Sequence, residues 1–353
     1  MKRWLLLLAV LFSIPVYIAP AKADDDKKAH LFATLPNGVR FPEGITANPA
    51  TRDIFVSTLD FGPNANKLLR FSKNGQLLAQ RDFGATPLLG LAFRGGNVYI
   101  ANLGTGQIQR VPANFNPATP VQVVANLPHI GSPGSRTEGN PDTSSDTITF
   151  GSTGMPAPNA MVFDKTGNLY VSDSFQGAIF RIDNATSCAI PCPVTTVKHD
   201  PLLATAGFPP FGANGVALSS DESTLFIANT GDDRVLRLDL STNGLSVFTE
   251  SINGADGLAF DSRGRLWVAA NQNDEIVALN TNGRVVARVG EFEGLRRDGS
   301  PDGLLFPASI LILGDEMFVT NAALPLTPAV GDEPEEDVTR WTVSRIRLPH
   351  LDK

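Results

Sequence analysis

The feature that most constrains this chain is a repeat. Three stretches share one pattern: Asn159-Ala-Met-Val-Phe-Asp164, Asn214-Gly-Val-Ala-Leu-Ser219 and Asp256-Gly-Leu-Ala-Phe-Asp261. Each is followed by a polar turn (165–168, 220–223, 262–265) and a second apolar run (169–173, 225–229, 266–271). A third run follows at 178–182, 234–238 and 275–279, and a weaker fourth closes the unit, as at 245–249. Four short strands joined by turns make one antiparallel sheet. Radial repetition of such sheets makes a β-propeller, which leaves only short, protected edges. The first runs are almost continuously apolar, as expected of strands covered on both faces.

Three weaker copies bring the count to six. One opens at Glu43-Gly-Ile-Thr46 and continues through 53–57. The next is Leu89-Gly-Leu-Ala-Phe93 with 97–102, and the last is Ala308-Ser-Ile-Leu-Ile312 with 316–321. Ser300-Pro-Asp-Gly303 imitates the start of a unit, but spacing excludes it. From Asn159 to Asp173 is 14 residues and from Leu89 to Asn102 is 13; Asp302 to Asn321 is 19, whereas Ala308 to Asn321 is 13. The sixth copy has a third run at 343–348 and then no fourth, while a spare run, Leu31-Phe-Ala-Thr-Leu35, precedes the first copy. The expected fold is therefore all-β: a six-bladed β-propeller of four-stranded antiparallel blades, closed by an N-terminal strand in the last blade. The 32 glycines and 26 prolines suit many short strands and turns.

The ends add a targeting segment. Lys2 and Arg3, an apolar stretch from Trp4 to Ile18 and Ala21-Lys22-Ala23 read as a signal peptide over 1–23, too short and too interrupted by Pro15 to span a membrane. The propeller domain is expected over 24–353, exported to the periplasm or outside the cell, with no membrane span after cleavage. In such a compartment Cys188 and Cys192 are expected to form a local disulfide. A net charge of −7 without clustered Lys and Arg excludes a nucleic-acid partner. A monomer is expected.

The residue opening each first strand falls at the mouth of a propeller's central channel. Round the ring these are Glu43, Leu89, Asn159, Asn214, Asp256 and Ala308. Four offer oxygen, with a net charge of −2. Hard oxygen donors without His or Cys suit Ca²⁺ and suit zinc or copper poorly. Asn and Asp are also favoured as turn residues entering a strand. That explanation covers neither Glu43 nor the convergence of four polar side chains on one axis, which would lack partners without a cation.

On these residues the chain resembles the calcium propellers of the gluconolactonase/regucalcin-like family, which are themselves similar to diisopropylfluorophosphatase and the paraoxonases. In that family a Glu opens the first blade (here Pro42-Glu43-Gly44), an Asn the third and fourth (Pro158-Asn159, Ala213-Asn214-Gly215) and an Asp the fifth (Ala255-Asp256-Gly257). The resemblance implies one Ca²⁺ held by Glu43, Asn159, Asn214 and Asp256, and hydrolysis of a small-molecule lactone or related ester. Two positions depart from the pattern. Ala157 stands where sugar lactonases of the family carry Arg, and Ala160 where many relatives carry Asp. The sugar-reading contact is therefore not expected.

Three loops share the mouth's face. Residues 127–158 form a long insertion expected as a lid, 199–213 bring Leu202, Leu203, Phe208 and Phe211 as an apolar wall, and 291–307 bring Arg296 and Arg297. In the hydrolytic reading the metal polarises the carbonyl and a general base activates water. Asp256 is the first candidate for the base, with His129 and His199 as alternatives on the same face. Gly151-Ser152-Thr153-Gly154 lacks the spacing of a nucleophile elbow. The residues Asn102, Asp173, Asn229, Asn271 and Asn321, which end the second runs, are read as turn chemistry. The competing functions are phosphotriester hydrolysis at the same site, or a non-catalytic binding propeller with Ca²⁺ as a structural pin.

Overall fold

Polar turns cut the chain into short strands, and the strands assemble as the repeat predicts. The structure, a computed structural model, describes residues 27–150, 155–327 and 329–349. The expected leader at 1–23 and the Gly151–Gly154 stretch lie outside the described residues. Six sheets have four strands each, and no α-helix occurs among the described residues. No helix there is long and apolar enough to cross a membrane.

The inner strands are Pro42–Ala47, Leu88–Arg94, Pro158–Phe163, Ala213–Leu218, Ala255–Phe260 and Pro307–Leu313. In the first five blades the strands lie in chain order from the axis outward. The sixth runs Pro307–Leu313, Glu316–Asn321, Thr342–Arg347 and then His30–Thr34, so the N-terminal strand closes the ring. His30 lies opposite Arg345 and Thr34 opposite Thr342. The closure is also packed: Phe41, Phe71, Phe318, Trp341 and Val343 share one buried cluster, and the Trp341 indole N–H donates to Ala322 O at 3.0 Å. Asp302 stays outside the inner strand, as the spacing requires. It belongs to a small hairpin, Phe292–Leu295 with Pro301–Gly303.

The core lies between blades. Tyr99 of blade 2 packs with Leu169 and Phe180 of blade 3, and Trp267 of blade 5 with Met317 and Val319 of blade 6. Each such side chain contributes roughly 1.5–3 kcal/mol on burial. Cys188 and Cys192 are bonded, and Cys192 is buried against the cluster joining blades 2 and 3.

Candidate metal centre

One backbone device recurs in all six blades and creates the mouth. The first residue of each inner strand pairs with the end of the second strand: Pro42 with Thr58, Leu88 with Asn102, Pro158 with Asp173, Ala213 with Asn229, Ala255 with Ala270 and Pro307 with Asn321. Each ladder then shifts register, and pairing resumes three residues on. Such a bulge re-aims a side chain, and the re-aimed residues are Glu43, Leu89, Asn159, Asn214, Asp256 and Ala308. The residue after each must be small, because the neighbouring blade's backbone presses on it. A Cβ on Gly215 would sit 2.1 Å from Asp256 O, and one on Gly44 2.3 Å from Leu89 O. Hydroxyls bridge other neighbours at the axis: Ser172 Oγ donates to Asn214 O at 2.6 Å, and Thr320 Oγ1 to Glu43 O at 2.7 Å.

The structure thus brings the four predicted oxygen residues together. Glu43, Asn159, Asn214 and Asp256 line one cavity at the channel mouth and are buried, with exposures of 6%, 2%, 5% and 5%. Burial raises the Glu43 carboxyl well above the usual range, and the nearby Asp256 charge adds to the rise. Burial raises Asp256 too, while hydrogen bonds from Asn271 and Asn214 pull the other way.

A second tier holds the first. The residue just past the paired end of each second strand is Leu59, Leu103, Ser174, Thr230, Asn271 and Ala322 in blades 1 to 6. Asn159 Nδ2 donates to Ser174 Oγ at 2.9 Å, and that hydroxyl donates onward to Ala213 O at 2.7 Å. Asn214 Nδ2 likewise donates to Thr230 Oγ1 at 2.9 Å, which donates to Ala255 O at 2.7 Å. Since each hydroxyl hydrogen is spent on a carbonyl, the oxygen can only accept. This fixes the amide orientation and leaves each Oδ1 for the axis. Under Asp256 the chemistry inverts, because a carboxylate needs a donor: Asn271 Nδ2 donates to Asp256 Oδ2 at 3.0 Å.

Asn271 corrects the turn reading. Its sequence position groups it with the strand ends Asn102, Asp173, Asn229 and Asn321, but register aligns it with Ser174 and Thr230. The separations Asn159–Ser174 and Asp256–Asn271 are both 15 residues, while Asn214–Thr230 is 16, so strand pairing and not counting defines the tier. For Asn102, Asp173 and Asn229 the turn reading stands, since each accepts from a backbone N–H two or three residues on. Asn321 instead ties blade 6 together, donating to Thr342 Oγ1 and Ser344 Oγ.

The alternative bases are elsewhere. His199 is exposed at the end of the outer strand Thr195–His199, where it pairs with Ala178; Ala178 pairs with Asp173, and Asp173 with Pro158. At roughly 4.8 Å per strand that places it about 14 Å from the axial strand. His129 is exposed in the loop after Gln122–Asn126, and neither histidine lines the mouth. Nor do Arg296, which pairs with Asp302, or the exposed Arg297.

The expected lid is a hairpin, Arg136–Gly139 with Ser145–Ile148. Arg136 fastens it to blade 4 through Asp232 at 2.8 Å, with Nη1 donating to Pro201 O at 3.2 Å. Of the apolar wall, Phe211 lines the mouth and stacks near Phe175 at 5.7 Å, Leu203 is buried in the core, and Phe208 is exposed.

Comparison with known proteins agrees with this geometry. The SMP-30/gluconolactonase/LRE-like family model matches residues 157–290, which hold three of the four axial donors. The chain carries an SMP-30/gluconolactonase/LRE-like region. Lactonase drp35 of Staphylococcus saprophyticus is 30% identical over 139 residues, 36% of this chain and 40% of that one. The chain therefore matches about 40% of the length of its curated relatives. Among solved structures, a luciferin-regenerating enzyme superposes with a TM-score of 0.61 at 16% identity, over 90% of this chain and 94% of that chain. Regucalcin of Agrobacterium tumefaciens, described as a calcium-binding protein, gives 0.59 at 16% identity, over 90% and 96%. At such identities the likeness is one of fold.

The donor set fits a hard dication. Two buried carboxylates and two oriented amide oxygens share a cavity lined by no Lys, Arg or His. Among the described residues no three His, Cys, Asp or Glu side chains cluster, so a cation here must use the amides as well.

Proposed function

We propose that this chain is an exported, calcium-dependent hydrolase of lactones or related esters. One observation carries the reading: two carboxylates, both raised by burial, converge with two amides that each donate an N–H to a supporting hydroxyl. Oxygen ligands with no nitrogen or sulfur favour Ca²⁺. The likeness to lactonase drp35 supports the substrate class, and the likeness to regucalcin supports the ion. A disulfide between Cys188 and Cys192 is in keeping with an oxidising compartment.

Bound at the mouth, the cation would supply Lewis-acid polarisation of the ester carbonyl. The protein's own groups do the rest. Asp256 accepts the proton of the attacking water, and Asn271 fixes its carboxylate plane by donating to Oδ2. The apolar walls exclude competing water from the reacting ester. With His129 and His199 away from the mouth, Asp256 is the base this reading retains.

The test has two arms. Chelated protein is titrated calorimetrically with Ca²⁺, and hydrolysis of lactones, aryl esters and a phosphotriester is followed with and without chelator. Saturable binding with chelator-sensitive lactone hydrolysis is expected. Binding without hydrolysis of any substrate would leave a calcium-pinned binding propeller; no saturable binding removes the metal reading altogether.

A further inference from the structure

The mouth's lining is sharply divided by chemistry. Its polar groups are Glu43, Asn159, Asn214, Thr230, Asp256 and Asn271, and its other walls are Leu59, Leu89, Pro209, Phe211, Phe306 and Leu324. Each polar donor there already makes one hydrogen bond: Asn159 with Ser174, Asn214 with Thr230, Thr230 with Ala255 O, and Asn271 with Asp256. At Ala157, buried with its backbone N–H on Asp173 Oδ2, no side chain is available to read a hydroxyl.

The face that carries the mouth also carries the most exposed apolar side chains. Among the described residues the four most exposed large hydrophobics are Val330 at 95%, Phe61 at 63%, Met155 at 60% and Phe208 at 59%, whereas the next, Leu78, reaches 46%. Phe61 and Val330 sit between the second and third strands of blades 1 and 6. Met155 and Phe208 sit just before the inner strands of blades 3 and 4. Antiparallel order puts all four connections on the mouth's face. Leu77, Leu78, Val285 and Val286, by contrast, lie on outer strands.

We infer that the substrate is a neutral lactone bearing an alkyl or aryl substituent, and neither a polyhydroxylated sugar lactone nor an anion. Phe211, Phe306 and Leu324 set that specificity. The inference rests on the hydrolase reading and adds the substrate class. A polyhydroxylated ring entering this lining exchanges water for walls half of which are apolar, so most of its hydroxyls lack partners, and an anion finds no cationic side chain to pair with. An alkyl chain finds apolar walls and needs no polar partner of its own.

The experiment uses the full chain loaded with Ca²⁺ and follows proton release. Substrates are five-membered lactones carrying side chains of zero, two, four and six carbons, together with glucono-δ-lactone. Across the alkyl series kcat/KM should rise by at least about tenfold, and the best alkyl lactone should exceed gluconolactone by about 100-fold. Phe211→Ser and Leu324→Ser should flatten the series, raising KM for the long chains more than for the bare ring. Faster turnover of gluconolactone than of any alkyl lactone overturns the inference and leaves the hydrolase reading in place. If no lactone is hydrolysed the lactonase reading falls, and binding of the matching alkyl lactams, read as a rise in melting temperature, decides alone. A rise graded with chain length upholds an apolar ligand; no rise overturns it.

Discussion

Blades 2 and 6 differ from blades 1, 3, 4 and 5 in one respect that separates architecture from chemistry. All six inner strands carry the same bulge at the same register, so all six aim a side chain at the mouth. Blades 2 and 6 aim Leu89 and Ala308, and their supporting positions, Leu103 and Ala322, are also apolar. In blades 3, 4 and 5 a polar axial residue stands over a polar support of the complementary kind: amide over hydroxyl, amide over hydroxyl, carboxylate over amide. The bulge therefore belongs to the fold. The donors belong to the site, and they occur with partners that orient them. Blade 1 is mixed, because Glu43 stands beside Leu59 and takes no polar support from that position.

The strongest way to break this comparison is to remove charge from the donor blades. Glu43→Gln and Asp256→Asn should each weaken Ca²⁺ binding by at least about 100-fold in calorimetric titration. In chelator at pH 8 the order reverses. Each variant should melt above the parent chain by at least about 2 °C, because one of two facing buried charges is gone. A variant that loses affinity and also melts lower in chelator would show that these carboxylates hold the fold and not a cation.

The same two groups give a pH dependence of definite sign. Their folded values lie above their unfolded ones, Asp256 being pushed up to about 7. Their contribution to stability is therefore fully present below the unfolded carboxylate range and lost as pH rises through the folded values, for Asp256 about 7. A bound cation needs them deprotonated, so its contribution moves the other way. Melting curves from pH 5 to 8 should show the gap between calcium-loaded and chelated protein widening with pH. A gap that stays constant would dissociate the axial carboxylates from the cation.

The supports come next in size. Asn271→Ala should lower Ca²⁺ affinity by about 10–100-fold, and Ser174→Ala by about tenfold, because each frees a ligand to turn away. Leu103→Ala, at the matching place in blade 2, should cost stability through lost packing and leave affinity unchanged. Equal losses at Ser174 and Leu103 would erase the distinction between the two kinds of blade.

Sequence carried the propeller, the ring closure and the convergence of Glu43, Asn159, Asn214 and Asp256 because a repeat imposes its own register. Once Asn159, Asn214 and Asp256 were aligned, Ala308 displaced Asp302 by counting alone. The supports were less legible. Ser174 and Thr230 are ordinary small polar residues, and Asn271 lies one place beyond four look-alikes that do cap turns. Only pairing across strands separates it from them. His129 and His199 lie outside the mouth's lining, His199 on an outer strand. Chain order tells which end of a strand a residue occupies, and says little about how far out a loop carries it.

The smallest expected effect tests whether blade 2 is a donor blade in waiting. Leu89 occupies the bulge and lines the mouth, so its side chain is already aimed at the site. Leu89→Asn would place an amide where the fold points it, with Leu103 below in place of a hydroxyl. The fold should lose about 2–4 kcal/mol, because a fully buried leucine is replaced by a smaller polar group. Ca²⁺ affinity should rise only about two- to fivefold: a neutral oxygen adds a ligand but no charge, and nothing orients it. Adding Leu103→Ser, which supplies the missing hydroxyl, should raise affinity further than Leu89→Asn alone. If the double variant binds Ca²⁺ no better than the single one, a shared bulge is not sufficient to make a ligand position, and the two apolar blades are apolar for a reason of their own.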